Sequence, residues 1–170
     1  GSAGGLVGVN NTGSTIYNSF WDTDTSGYSS TSGTATGGCF SGTCTNGGTA
    51  NLSALATYTN AGWNITSTAS ASTTAPTSTW FIFEGNTRPM LMMEYNTKIT
   101  NAHQLQLMGS TLGANYTLAN NIDLATSLNN SSEIWGTKSS TSSGAGFAPI
   151  TSFGGTLDGR SYTVNNLYQR

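Results

Sequence analysis

The chain of 170 residues is long enough for one domain with a hydrophobic core, and its net charge of -2 excludes disorder driven by charge repulsion. Charged residues make up only 7% of it, against roughly 25% in an average soluble protein. The five Lys and Arg residues form no basic patch, so we expect no nucleic-acid partner, and no apolar run reaches the ~18 residues of a membrane span.

Small hydroxyl, amide and glycine residues dominate the composition. Gly, Ser, Thr and Asn supply about half of the chain, while Trp, Tyr, Phe, Leu and Ile recur throughout it. The recurring large apolar residues exclude a flexible Gly/Ser linker. A neutral, hydroxyl-rich surface over a regularly spaced apolar interior is typical of secreted β-helical and β-sandwich proteins. The first residues lack a signal-peptide pattern, which a mature or excised segment explains as well as a cytosolic origin does.

The first fifty residues predict strands joined by turns, followed by a loop. We expect two strands before residue 22, separated by an Asn- and Gly-rich turn. The Gly/Thr/Ser loop at 29–50 carries Cys39 and Cys44, for which we expect a local disulfide that shapes a turn; two free thiols are the alternative. A zinc site would need about four ligands, and His103 is the only other soft ligand.

The middle of the chain predicts a helix and strands. Apolar residues near helical spacing predict a short helix within 52–62. The Ser-, Thr- and Ala-rich residues 66–78 predict an exposed excursion, and residues 63–65 and 80–83 predict strands.

The second half of the chain again predicts a short helix followed by strands. Apolar residues at three-residue steps predict a helical turn within 99–108, capped by Thr100 or Asn101. A polar excursion at 126–145 separates the strands before it from the final strands within 147–167.

Each β-branched or aromatic run is closed by Gly, Asn or Asp and is too small to bury its own apolar face, so it must stack on a neighbour. This pattern predicts an all-β fold: a right-handed parallel β-helix, or solenoid, with loop excursions and one or two short helical turns. Asn tolerates the left-handed conformation of tight corners, which favours a solenoid over a sandwich. We predict a single segment over 1–170 and part of a longer protein, with a first unit at 1–97 and a second at 98–170.

Several segments, taken in order, resemble one repeating unit of a known family. The first match comprises Gly5-Leu6-Val7-Gly8, Asn18-Ser19-Phe20-Trp21-Asp22 and Thr25-Ser26-Gly27. The later matches comprise Ala61-Gly62-Trp63, Trp80-Phe81-Ile82, Asn121-Ile122-Asp123-Leu124, Phe147-Ala148-Pro149-Ile150, Phe153-Gly154-Gly155-Thr156-Leu157-Asp158-Gly159 and Val164-Asn165-Asn166-Leu167. The chain is similar over most of its length to the GLUG-repeat region of large bacterial surface proteins, which include filamentous-haemagglutinin-like adhesins.

The resemblance implies a parallel β-helix, secretion to the bacterial cell surface, a role in adhesion and no catalytic residue. We therefore predict a non-enzymatic segment without a cofactor that adheres to a host or matrix glycan or protein. Two alternatives stay open. The first is a subunit that stacks head-to-tail into an extracellular filament, and the second is a β-helical carbohydrate-active enzyme.

One short motif has the opening of a calcium loop. Asp22 and Asp24 begin a D-x-D-x-S-G pattern, but the twelfth position, where an EF-hand loop needs a bidentate Glu, is Gly33. Hydrogen bonds that close a turn explain the same residues, so we predict no metal site and leave calcium at Asp22 and Asp24 open.

The enzyme alternative depends on paired carboxylates about 5–9.5 Å apart across a sugar. A Ser/His/Asp triad through His103 is formally possible, but no Gly-x-Ser-x-Gly elbow accompanies it. The candidate carboxylates are Asp22, Asp24, Glu84, Glu94, Asp123, Glu133 and Asp158.

Trp135 stands inside a polar excursion and is the best candidate among the four Trp residues for an exposed ligand contact. Trp63 and Trp80 are expected to pack in the core. Six Asn residues in Asn-x-Ser/Thr sequons are candidates for glycosylation. They are Asn10, Asn51, Asn64, Asn115, Asn129 and Asn130.

Overall fold

Short strands and short helices alternate along the chain. The computed structural model describes residues 6–12, 14–23, 32–35, 45–47, 52–136 and 146–169. Three of the sequence predictions fall outside these ranges: the disulfide of Cys39 and Cys44, calcium binding at Asp24 and the sequon at Asn51.

The described part contains twelve strands and three α-helices. The helices are α1 (Leu55–Thr59), α2 (Ala102–Leu107) and α3 (Ala125–Leu128), with 3-10 turns at Met92–Glu94 and Met108–Ser110. None of these helices is long and apolar enough to cross a membrane. The strands are β1 (Val7–Asn10), β2 (Phe20–Asp22), β3 (Ser32–Ala35), β4 (Thr45–Gly47), β5 (Ile65–Thr66), β6 (Trp80–Phe81), β7 (Met90–Leu91), β8 (Lys98–Ile99), β9 (Asn115–Leu118), β10 (Ile122–Asp123), β11 (Thr156–Asp158) and β12 (Val164–Asn165).

The strands form five separate small sheets. Three are two-stranded, β1-β3, β2-β4 and β10-β12, and two are three-stranded, β5-β6-β7 and β11-β9-β8. Six of the seven pairings are parallel, and β6 with β7 is the antiparallel one. Parallel partners such as β9 and β11 are distant in sequence, which a crossover connection requires.

The predicted all-β parallel β-helix is wrong. The protein is a small mixed α/β structure with 18% helix, and no sheet in its described part closes or continues as a solenoid. The parallel pairing sense matches the interior of a solenoid, but the ladders are only two to four residues long. The ladders fall into five separate sheets, and one of these sheets contains the antiparallel β6–β7 pair, which a parallel solenoid would not contain.

Three hydrophobic clusters form the core. The largest surrounds α2 and β9, with Leu105, Tyr116 and Trp135 among its buried members. The second joins Phe81 and Met90 to Leu107, and the third joins Leu52, Tyr58 and Ile82. Because Leu107 packs with residues from before position 97, the two predicted units share one hydrophobic interior.

Helix α2 forms where the sequence predicts a helical turn. The side chain of Asn101 caps it by accepting a hydrogen bond from the Gln104 backbone N–H at 2.9 Å. Leu105, Gln106 and Leu107 are all buried, so the buried side of this short helix includes a polar amide.

Gln106 is the polar centre of the largest cluster. Its Oε1 accepts from the Trp135 indole N–H and from the Ala148 backbone N–H, both at 2.8 Å, and its Nε2 donates to the Ala148 carbonyl at 3.0 Å. The amide thus pairs with Ala148 in the way that a strand backbone would. Gln106 and Trp135 are both completely buried, so these groups have no access to water.

The outer edges of β11 and β12 carry no strand in the part of the chain that the structure describes. Phe153, Leu157, Tyr162 and Leu167 lie exposed beside these edges, between 36% and 45% accessible. The predicted head-to-tail association stays a prediction.

We predict that Gln106→Ala lowers the free energy of unfolding by about 3 kcal/mol, since it leaves three buried hydrogen-bonding groups without a partner. For a chain of this length the melting temperature should fall by about 10 °C, measured by circular dichroism. Gln104→Ala is the matched control, because its side chain accepts only exposed hydrogen bonds from Thr100. Equal losses for the two variants would contradict the role of Gln106.

Candidate functional site

Four aromatic rings meet beside the β2 strand. Phe20, Tyr58, Trp63 and Trp80 line a cleft of about 330 Å³, which we call the aromatic cleft. The centroids of Trp63 and Trp80 lie 5.0 Å apart, and Tyr58 lies 5.0 Å from Trp63. Phe20 meets Tyr58 edge-on at 4.9 Å. These separations are those of mutually stabilising aromatic pairs.

Local backbone features place the indole of Trp63 in this cleft. Gly62, which follows α1, has φ of +78° and turns the chain so that Trp63 leads into β5. Asn18 is also left-handed, with φ of 43°, and its carbonyl accepts from the Trp63 indole N–H at 3.0 Å. Both ends of the Trp63 side chain are therefore fixed, while its ring stays half-buried.

A buried guanidinium forms the polar wall of the aromatic cleft. The Nη2 of Arg88 donates to the Asp22 carboxylate and, at 3.0 Å, to the Gly136 carbonyl. Its Nη1 donates to the carbonyls of Ser131, at 3.0 Å, and Glu133. The side chains of Arg88 and Asp22 are only 15% and 8% exposed. Arg88 thus joins β2 to residues 131–136.

The Arg88 Nε is buried without a hydrogen-bond partner in the described part of the chain. It belongs to a side chain that lines the aromatic cleft. A buried donor without a partner is costly, so this part of the guanidinium destabilises the site.

Tyr58 keeps its proton in this environment. Burial raises the pKa of its hydroxyl far above the usual range, and the nearby Asp22 carboxylate adds to this, while Arg88 opposes it. The hydroxyl donates to the Leu52 carbonyl at 2.8 Å. Tyr58 therefore lines the cleft as an uncharged side chain.

A second polar cluster surrounds the single histidine. The Nδ1 of His103 lies 2.7 Å from an oxygen of Glu94, and its Nε2 lies 3.1 Å from an oxygen of Glu133. The imidazole meets the Trp135 ring edge-on at 5.4 Å. With an acceptor at each nitrogen, the ring satisfies both contacts only as the doubly protonated cation.

The pKa of His103 is raised above its usual value of 6.5. Burial alone lowers it, but the hydrogen bonds and charges of Glu94 and Glu133 together outweigh burial. The imidazolium also stands between these two carboxylates, where a sugar would need to lie for them to act as a glycosidase pair.

The other candidate carboxylates in the described ranges each have a local partner. Glu84 accepts from the Leu55 backbone N–H at 2.7 Å. The Ala125 N–H and the Asn166 amide hold the pKa of Asp123 below its usual range. Asp158 accepts from the Arg160 backbone N–H at 2.9 Å. No group of three or more His, Cys, Asp or Glu residues within these ranges could hold a metal ion.

Trp135, which the sequence predicts as an exposed ligand contact, is not exposed. Its side chain is completely buried, because its indole N–H is drawn inward to the Gln106 amide. The half-buried Trp63 and Trp80 line a cleft instead. Among the described sequon residues, Asn64, Asn115, Asn129 and Asn130 are exposed. The side chain of Asn10 is not described, and glycosylation at all of these positions stays a prediction.

Arg88 and Gln106 are not among the site residues that the sequence predicts. A signal for Arg88 was present, because it directly precedes the apolar run at 89–93 in a chain with very few charges, and a charge beside a buried strand is buried only when it is paired. Gln106 carries no comparable signal, since an isolated Gln on a helix is usually exposed.

Comparisons of the chain with protein-family models, with curated proteins and with solved structures found no match.

We predict that NMR titration of the single histidine gives a pKa above 6.5, and that Glu94→Gln or Glu133→Gln lowers it. Because the folded pKa is raised, the stability that the cluster contributes is fully present below pH about 6.5. It is lost as the pH rises through the folded pKa.

Chemical denaturation of the protein and of His103→Gln at pH 5.5 and pH 9 measures this loss. The difference in stability between the two should shrink at the higher pH. A wild-type pKa at or below 6.5 would contradict the charged cluster.

Proposed function

We propose that the chain binds a saccharide in the aromatic cleft, as a non-catalytic adhesion module that contacts a host or matrix glycan at a bacterial surface. The arrangement of Trp63 and Trp80 beside the Asp22–Arg88 pair carries this proposal. The cleft volume of about 330 Å³ lies at the lower end of the range of small-ligand pockets, roughly 300–1,000 Å³.

The cleft offers the two kinds of contact that a sugar ring needs. The C–H face of a sugar is apolar and stacks on aromatic rings, which the half-buried Trp63 and Trp80 supply. The hydroxyl groups at the rim of a sugar need a polar surface, which the Asp22–Arg88 pair forms at the wall of the same cleft, and the carboxylate oxygens of Asp22 can accept further hydrogen bonds.

The cleft is also organised before a ligand arrives. Trp63 is anchored through Asn18, and Arg88 is held by three carbonyls and a carboxylate. Fixed side chains lose little conformational entropy on binding, which favours affinity from a small contact area.

The carboxylates favour binding over turnover. Asp22 pairs with Arg88, and Glu94 and Glu133 both contact His103. In each case the carboxylate already contacts a side chain of the protein, whereas a glycosidase needs two carboxylates that face each other across the bound sugar.

The surface location in this proposal rests on the sequence. A chain with 7% charged residues and about half Gly, Ser, Thr and Asn has the composition of secreted β-rich proteins. The ordered motifs that resemble GLUG-repeat surface proteins support the same location.

We predict that a panel of immobilised oligosaccharides detects binding by the wild-type protein, and that Trp63→Ala weakens binding of the tightest member about tenfold in calorimetry. Trp63→Phe should keep most of the affinity, because it keeps an aromatic face. Tyr17→Ala is the control, since Tyr17 is 55% exposed and does not line the cleft.

Melting temperatures of all three variants establish that each is folded. Absence of wild-type binding across the panel, or equal affinity for the wild type and folded Trp63→Ala, would contradict the proposal.

A further inference from the structure

A second cleft lies at the corner where β9 leads into β10. It has a volume of about 520 Å³ and is lined by Lys98, Thr117, Ala119, Arg160 and Tyr162, and we call it the cationic cleft. Its floor is the end of β9, and its wall is the turn between β11 and β12.

The cationic cleft gathers the free positive charge of the described chain. Three Lys or Arg residues are described, and one of them, Arg88, is buried against Asp22. The other two, Lys98 and Arg160, line this cleft and are exposed. In a chain with five Lys and Arg residues in all, two at one cleft is a marked concentration.

One carboxylate faces these cations. Asp158 lies 3.6 Å from the Arg160 Nε, and both side chains are more than 60% exposed, at 62% and 63%. Water screens such a pair strongly, so it leaves Arg160 able to bind an anion. No carboxylate of the described residues lies within 4.0 Å of the Lys98 ammonium group.

The turn that carries Arg160 is strained. Arg160 and Ser161 are consecutive non-glycine residues in the left-handed region, with φ of 45° and 66°. Three hydrogen bonds hold the turn: Asp158 accepts from the Arg160 N–H, Gly159 from the Tyr162 N–H and Asn121 from the Thr163 N–H. Strained residues of this kind concentrate at ligand clamps. Here the strained position carries the charged side chain.

We propose that the cationic cleft binds an oxyanion, a sulfate or carboxylate group, carried by an acidic saccharide. Arg160 supplies the planar fork of donors that matches an oxyanion, and Lys98 supplies a compact positive charge on the other side. Tyr162 and Thr117 add hydroxyl donors. The saccharide in this inference rests on the proposed function, whereas the anion rests on the cationic cleft alone.

Calorimetry can separate the contribution of charge from that of the saccharide. Three polymers of equal length are compared: dextran is uncharged, whereas dextran sulfate and carboxymethyl dextran carry sulfate and carboxylate groups. Sodium sulfate is a fourth probe, which has the anion without the saccharide. We expect at least one charged polymer to bind about tenfold more tightly than dextran at low salt, and the gain to shrink at 200 mM NaCl. Lys98→Met with Arg160→Gln should remove the gain. Asp158→Asn is the opposite control and should increase it, because it removes the facing negative charge.

Binding by Trp63→Ala and by the double variant distinguishes the cationic cleft from the aromatic cleft. If Trp63→Ala lowers binding to all polymers but the charge-dependent gain persists, both sites are supported. If Trp63→Ala has no effect while the double variant removes the gain, the aromatic cleft fails and the anion site stands.

Equal binding of charged and uncharged polymers by the wild type would overturn the inference. A gain that persists in the folded double variant would also overturn it. Sodium sulfate that binds as tightly as dextran sulfate would overturn its saccharide part.

Discussion

The ion pair between Arg88 and Asp22 is the contact on which the candidate site depends. The Arg88 side chain is only 15% exposed, so its charge needs a partner within the protein, and its two terminal nitrogens find a carboxylate and three backbone carbonyls. These partners come from β2 and from residues 131–136, which are far apart in sequence. Arg88 therefore decides where β2 lies, and β2 brings Phe20 to the aromatic cleft.

Residues 131–136 connect this ion pair to the rest of the molecule. The Glu133 carbonyl accepts from Arg88, while its carboxylate contacts His103 on α2. Two residues later, Trp135 donates to Gln106 inside the main core. A short polar segment is thus fixed by a cation, an imidazole and a buried amide. This explains how a chain with so few charges can hold a defined polar site: Asp22, Arg88, Glu94 and Glu133 each contact a charged or imidazole partner.

The sequence predicts local features of this fold better than its assembly. The helical turn within 99–108 is confirmed, and of its two predicted caps, Thr100 and Asn101, the structure has Asn101, because side-chain spacing and capping act within a few residues. The strand at Trp80 is confirmed as β6. The prediction of a solenoid is wrong. Short apolar runs indicate that strands must pair with one another, but they do not determine how many strands join in one sheet. The residues 126–145 were predicted as an excursion, yet α3 and Trp135 pack in the core.

In the candidate site, too, the sequence shows the local features but not the contacts between distant residues. The aromatic residues were visible in the sequence, but which of them is exposed depends on the partner of each indole N–H. Trp135 finds Gln106 in the interior, whereas Trp63 finds the Asn18 carbonyl at the surface. The contacts of Arg88 span 43 to 66 residues along the chain, so no local pattern could predict them.

A double-mutant cycle measures whether Arg88 and Asp22 stabilise the fold as a pair. Unfolding free energies of Arg88→Met, Asp22→Asn and the double variant give the coupling between the two side chains. We expect Arg88→Met alone to cost about 3–5 kcal/mol, because it leaves a buried carboxylate without its countercharge, and we expect the coupling to exceed about 1 kcal/mol. Additive effects within about 0.5 kcal/mol would show that the pair does not hold β2 in place.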